Sequence, residues 1–192
     1  MKIYFDGCSW TRGAELKNKK ETRFSKIISE HYGAEEYNIG EFGGCNRRLA
    51  RNIINHNLDD YDMFIIQMTI ESRTEWYDGN NFTNVRPTTP STDDEIFWQT
   101  YYENYYHQKY GESDELIYYN LFKNILRDKK HIIVSISSST KLPVKNLQKD
   151  LWYYNSRSKL LNKKILFAPF HHPNELGHKI IAEMLINYLD KT

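Results

Sequence analysis

The chain has 192 residues, 26 Lys and Arg against 25 Asp and Glu, a net charge of +1 and only two cysteines, Cys8 and Cys45. This length suits one domain with a substantial core, and the near-zero charge gives no field for nucleic acid or an anionic membrane surface. No run of about 18 apolar residues is present to span a bilayer, and the two cysteines fit a reducing compartment without a disulfide framework.

Lys2 to Asp6 reads as a short buried strand. Ile3, Tyr4 and Phe5 form the apolar run that a strand covered on both faces requires. The strand breaks at Gly7 and leads through Cys8-Ser9-Trp10-Thr11 to a second break at Gly13. Met1 runs straight into the strand, so the expectation is a cytoplasmic protein with no signal peptide. The KNKK run at 17–20 reads as a solvated helix end. Residues 23–31 have helical spacing, with Phe24, Ile27 and Ile28 on one face and Gly33 as the stop. Glu35–Asn38 is a weak strand, and Gly40, Gly43 and Gly44 make a flexible turn. Residues 45–57 predict a helix with Leu49, Ile53 and Ile54 inward and Arg47, Arg48 and Arg51 on its other faces. Met63–Met68 is a buried strand. Strand, helix, strand, helix, strand in this order argues for a parallel sheet with right-handed crossovers.

Residues 69–92 read as a long irregular polar loop, a kind of segment that is usually functional or mobile. It leaves the third strand at the end where the Ser9 and Gly43 loops also emerge. It is therefore expected to form one wall of a cleft, with Arg73, Trp76 and Tyr77 supplying a charge and two aromatic faces. An Arg73–Glu75 surface pair is the plainer reading of those two charges. Residues 93–109 and 115–127 read as helices broken at Gly111. Residues 131–135 predict a fourth strand, 142–158 are ambiguous, and 164–168 (KILFA) predict a fifth strand before a final helix over 179–190. The chain carries 15 Tyr and 4 Trp. The aromatics crowded between Phe97 and Tyr119 suit core packing or the lining of a groove.

Two stretches carry chemistry. A small polar nucleophile just past the carboxyl end of a first strand stands where open α/β sheets bind ligands. Ser9 fits that place, and it also fits the cap of the next helix. At the other end, Phe170-His171-His172-Pro173-Asn174-Glu175-Leu176-Gly177-His178 puts an imidazole on a loop just before a helix. Histidine is the usual general base for a serine hydroxyl. A Ser after the first strand and a His before the last helix can meet across the top of one sheet. Of the two adjacent histidines, His172 precedes Pro173 and is preferred over His171; His178 reads as structural. Cys8 is a competing nucleophile or a residue packed against the sheet, and Cys45 reads as buried. No Cys/His spacing suits a metal. The Gly40–Gly44 turn lacks the Lys and the spacing of a phosphate-binding loop, so no cofactor is expected.

These blocks resemble those of the SGNH or GDSL hydrolases. Gly7-Cys8-Ser9 matches the family's Gly-Asp-Ser with Cys8 in place of Asp. Asn38-Ile39-Gly40-Glu41-Phe42-Gly43-Gly44 looks like the second block. The last block, Asp-x-x-His-Pro continued by Asn-x-x-Gly-His, is matched from His172 to His178, with Pro169 in place of the Asp. The third block, Gly-x-Asn-Asp, has its strand but not its Asn. The resemblance implies a single three-layer α/β/α domain over 1–192 with a mainly parallel, flavodoxin-like sheet of five strands. It implies a hydrolase acting on a small acyl ester, such as an acylated carbohydrate or lipid, with Ser9 as nucleophile and His172 as base. The oxyanion would be held by the backbone N–H groups of Ser9 and Gly43, with Asn46 as a further donor or as an ordinary first-turn residue. Gln67, Thr69 and Arg73 are open as substitutes for the missing Asn, and Thr69 and Arg73 stand where substrate would lie. A backbone carbonyl or a distant carboxylate would have to orient His172. The same fold could serve as a non-catalytic glycan- or ligand-binding module, or as an acyltransferase. The acyl group, the alcohol and the oligomeric state are left open.

Overall fold

The computed structural model describes residues 1–87, 95–160 and 166–191. Its main sheet contains β1 (Lys2–Asp6), β2 (Glu35–Asn38), β3 (Met63–Met68), β6 (Lys130–Ser135) and β7 (Lys145–Asn146). The order is β2-β1-β3-β6-β7, and every neighbouring pair is parallel. Counting only these five strands, the order is 2-1-3-4-5, the flavodoxin-like doubly wound arrangement, whose ligand crevice lies where the strand order reverses beside the first strand. The expected sheet is therefore present, and among the described residues its fifth member is β7 rather than residues 166–168. Residues 164 and 165 lie outside the described residues. Phe167 makes an isolated antiparallel bridge to Pro173. The edge position is taken by β7, inside the stretch that read as ambiguous, with α7 (Leu147–Leu160) following it directly.

The pleat explains the layering. Successive side chains of a strand point to opposite faces. Ile3 and Phe5 join Ile65, Ile132 and Val134 in one core, roofed by α3 (Phe24–His31), α7 and α8 (Glu175–Leu189) through Phe24, Ile28, Leu151, Ile181 and Leu185. Tyr4 joins Phe64, Ile66 and Ile133 in the other, covered by α4 (Asn46–Asn55) and α6 (Gln108–Ile125) through Leu49, Ile53 and Phe122. Two helical residues face opposite to the sequence expectation. Ile54 is 61% exposed, whereas Arg48 is buried. The reason is electrostatic: Asp6 ends β1 fully buried beneath α4, and only a cation on that face of the helix can meet it.

The helix break expected at Gly111 lies instead between α5 (Glu95–Asn104) and α6, with His107 capping α6 by accepting the Lys109 N–H at 3.1 Å. Gly111 is inside α6, and its reason is space. A Cβ there would collide with the Tyr106 hydroxyl and stand 3.2 Å from the Glu71 carbonyl oxygen. The 69–92 segment is not irregular throughout. It contains an antiparallel hairpin of β4 (Thr74–Tyr77) and β5 (Phe82–Val85), with Trp76 opposite Thr83. The part of the segment from 88 onward lies outside the described residues. Glu75 pairs not with Arg73 but with Arg51 of α4, in two hydrogen bonds of 3.1 and 2.8 Å.

Candidate active site

The turn after β1 is built from below. Ser9 is the first residue of a one-turn helix, α1 (Ser9–Arg12). Its N-cap is the extended Cys8 rather than Ser9, and the Cys8 side chain makes no capping bond. Cys8 is fully buried in the core. Its thiol sulfur accepts from Gln67 Nε2 at 3.2 Å, while Gln67 Oε1 accepts from the Thr11 hydroxyl at 2.7 Å. Gln67, at the end of β3, is thus used on the underside of the turn. From the side, the second glycine loop closes in. A Cβ on Gly44 would stand 2.9 Å from the Gly7 carbonyl oxygen and 3.4 Å from Cys8 Cα, so this approach requires glycine.

His172 arrives on a tight return loop before α8. Asn174 N–H donates to the Leu166 carbonyl at 2.9 Å, Ala168 N–H to His172 O at 2.8 Å, and His171 N–H to Ala168 O at 3.0 Å. Asn174 then caps α8, its Oδ1 accepting from Gly177 N–H at 3.0 Å. His171 sits at the exposed corner with φ +65. His172 points inward, and its Nε2 lies 3.0 Å from Ser9 Oγ. Its Nδ1 lies 2.7 Å from Glu15 Oε2, and Glu15 Oε1 also accepts from the Phe170 N–H at 3.3 Å. Partial burial pushes the Glu15 carboxyl up, but hydrogen bonds from the His172 ring and from the amides of Phe170 and His172 outweigh it and leave the group below the usual carboxylate range. His178 is placed elsewhere. It is fully buried, its ring stacks on Phe24 at 5.7 Å, and its Nδ1 accepts the Phe24 N–H at 3.2 Å. Burial first, then the nearby His172 and Arg23, push its pKa down to about 3, so it is neutral at ordinary pH.

The remaining candidates lie on the turn after β1, on the second glycine loop and its helix, and on the residues that follow β3. Ser9 is at the start of a helix, where backbone N–H groups have no intrahelical acceptor. Gly43 has φ +67 and lies against Asn84 and Arg86 just beside the hairpin, and Asn84 Nδ2 donates to the neighbouring Phe42 carbonyl at 3.1 Å. Asn46 opens α4, and its carboxamide grips the residue that leaves β3. Its Oδ1 accepts from Thr69 N–H at 2.8 Å and its Nδ2 donates to Thr69 O at 3.4 Å. Thr69 is fully buried, and its hydroxyl has no partner among the described residues. Arg73 has one buried guanidinium nitrogen, Nη1, without a partner among the described residues. It lines a polar cavity of about 50 Å³ with Asn46, Arg47, Tyr102, Tyr106 and Asp114. The hairpin that follows is fastened to α4 by Arg51–Glu75 and to the second loop by Asn84.

Sequence reasoning missed two residues of this arrangement, Glu15 and Arg48. Glu15 is six positions from Ser9, but a carboxylate near a nucleophile in the chain carries no mark of which histidine it meets across the sheet. Arg48 read as surface because its neighbours Arg47 and Arg51 are also basic. The buried Asp6 at the end of an otherwise apolar strand was the signal that a partner had to exist.

No protein-family model matches the chain, and no curated protein matches it in sequence. Solved structures do match. A carbohydrate esterase, described as having an active site with divergent catalytic and non-catalytic binding functions, is 13% identical with a TM-score of 0.54, over 100% of this chain and 65% of that one. A mutant of an acetyl-xylooligosaccharide esterase from Geobacillus is 12% identical with a TM-score of 0.51, over 98% of this chain and 93% of that one. A member of the lipolytic G-D-S-L family from Veillonella parvula is 15% identical with a TM-score of 0.49, over 97% of each chain. At such identities the likeness is one of fold. The chain shares its three-layer α/β/α fold with these structures, which include a carbohydrate esterase and an acetyl-xylooligosaccharide esterase. No helix among the described residues is long and apolar enough to cross a membrane.

Proposed function

We propose that the protein is a serine hydrolase acting on a small acyl ester, with an acylated carbohydrate as the favoured substrate class. The observation that carries this reading is the 3.0 Å approach of Ser9 Oγ to His172 Nε2 at the carboxyl end of β1. Ser9 Oγ attacks the ester carbonyl carbon while its proton passes to His172 Nε2. The tetrahedral oxyanion is met by the backbone N–H groups of Ser9 and Gly43, while the Asn46 carboxamide is engaged by the Thr69 backbone. In other hydrolases, losing one such donor costs about 2.7–4 kcal/mol of transition-state stabilisation. His172 then returns the proton to the departing alcohol, and a water activated by the same ring releases the acyl group and restores Ser9. Arg73, a few residues past β3, is the substrate contact on that side, whereas Thr69 is fully buried and serves as the anchor for Asn46. The carbohydrate preference draws on the carbohydrate and acetyl-xylooligosaccharide esterases among the structural neighbours.

The test is covalent labelling with a fluorophosphonate, followed by hydrolysis of acetylated saccharides and short-chain aryl esters. The expected result is a single adduct on Ser9 and loss of both labelling and turnover in Ser9→Ala. A protein that binds glycans but takes up no label is instead a binding module on this fold. Transfer of the acyl group to an added alcohol in preference to water makes it an acyltransferase.

A further inference from the structure

The resemblance locates the base's carboxylate partner at the position of Pro169, where no carboxylate exists. We propose that Glu15 is the positioning residue for His172, so that nucleophile and carboxylate come from one loop after β1 and only the base comes from the far end of the fold. This rests on the Ser9–His172 reading above and adds to it the group that sets the state of the ring.

Hydrogen bonds hold the Glu15 carboxyl below its usual range, so it is ionised at neutral pH and can only accept. Its Oε2 lies 2.7 Å from His172 Nδ1, so that nitrogen carries the hydrogen. In a neutral imidazole the other nitrogen is then the acceptor. That nitrogen is Nε2, 3.0 Å from Ser9 Oγ, so the hydroxyl donates to it. This is the tautomer a general base requires. As the imidazole takes the serine proton, the positive ring is stabilised by the carboxylate it already touches.

A plain surface ion pair has less to hold it. Here the second carboxylate oxygen is also committed, accepting the Phe170 N–H at 3.3 Å on the same loop that carries His172. The paired side chains are 23% and 18% exposed, so neither end swings free in water. Glu15 is moreover held at φ +65, a left-handed backbone conformation uncommon for a residue with a side chain. The turn from Gly13 to Leu16 thus aims a carboxylate where an ordinary turn residue would point to solvent.

The test uses two readouts. In proton NMR of the whole protein, a histidine N–H bonded to a carboxylate resonates downfield of the amide region. The signal should be present in the parent and in Ser9→Ala, and absent from His172→Ala and Glu15→Gln. In the second readout, Glu15→Gln should slow fluorophosphonate labelling of Ser9 by at least about 100-fold with an unchanged melting temperature. Amidating the equivalent carboxylate costs about 10⁴ in kcat in a serine-protease triad. Glu15→Asp should recover part of the rate, which a merely structural role would not produce. Labelling of Glu15→Gln at the parent rate overturns the proposal. So does absence of the downfield signal from the parent, a measurement that stands even if Glu15→Gln fails to fold. A parent that shows the signal but takes no label contradicts the hydrolase reading alone and leaves the Glu15–His172 pairing standing.

Discussion

Arg48 Nη1 lies 2.8 Å from Asp6 Oδ1, with the two side chains only 8% and 0% exposed. This pair joins the strand that delivers Ser9 to the helix that follows the Gly43 loop. The same guanidinium reaches Glu41 Oε2 at 2.7 Å and the Ile39 carbonyl, so one side chain fixes the nucleophile strand and the second loop together. Asp6 is further held by Gly7 N–H at 2.8 Å and Asn52 Nδ2 at 2.9 Å. Arg48→Met leaves a buried carboxylate without its cation and should cost about 3–5 kcal/mol of stability, the range for breaking a buried pair at one end. Urea unfolding measures this. The double variant Asp6→Asn with Arg48→Met should cost less than the sum of the single changes, because both charges leave together.

Ser9 and His172, as the proposed catalytic pair, should behave as a unit. Ser9→Ala and His172→Ala should each abolish most ester turnover, and the double variant should be little worse than either alone. Purely additive losses in kcat/KM would show that the two side chains act separately. Turnover that survives in Ser9→Ala but not in Ser9→Ala with Cys8→Ala would move the nucleophile to Cys8.

Arg73 offers a check on the substrate side. Its Nη1, without a partner among the described residues, and the adjacent polar cavity suit a carbonyl, hydroxyl or anionic group of the substrate. Arg73→Ala should raise KM or lower kcat/KM about 10-fold or more, in line with loss of one charged hydrogen bond of about 1.5–3 kcal/mol. The melting temperature should hardly change. Unchanged kinetics on the cognate ester, with the protein folded, would remove Arg73 from the site.

His178 sets a pH dependence of stability. Its folded pKa is depressed to about 3 against an unfolded value near 6.5. The unfolded chain therefore binds the extra proton first as pH falls. Above about 6.5 the group is neutral in both states and contributes no slope. Below that it destabilises the fold progressively, until the folded pKa is reached near pH 3. Between pH 7 and 5 this amounts to as much as about 2 kcal/mol for the single group. His178→Asn keeps an acceptor at the Nδ1 position for the Phe24 N–H without titrating there, so its stability should fall less over that interval. Parallel slopes in denaturant titrations at pH 7 and pH 5 would contradict this account.

The sequence revealed what local periodicity and turn chemistry determine. Ile3 to Phe5, Met63 to Met68, Leu49 and Ile53 of α4, and Ile181 and Leu185 of α8 set the layers because burial on a pleat or a helical stripe leaves a repeat in the chain. The Ser9 turn and the His172-Pro173 loop were legible because Gly and Pro punctuate them. The edge strand β7 was not, since two residues leave no alternation to detect. The Arg48, Glu15 and Gln67 contacts were illegible for a different reason. Each is a polar bond between segments far apart in sequence, and nothing local distinguishes a lysine or arginine at the surface from one aimed at a buried carboxylate. Gly111 misled because glycine breaks a helix in open space, whereas here it makes room for Tyr106 and Glu71.

Ser9 and His172 are separated by 163 positions. Contacts of such span form against the greatest loop-closure entropy and so come late in folding. During refolding, sheet and helix signals should return before reactivity toward a fluorophosphonate does. The reverse holds on the native side. His172, the proposed base, is carried by a short return loop that leads into α8, which is seated on α3 through Phe24 and His178. Detachment of that one segment would extinguish the reaction while β1, β3 and β6 remained paired. Inactivation by mild heat or denaturant should therefore precede loss of the bulk structure.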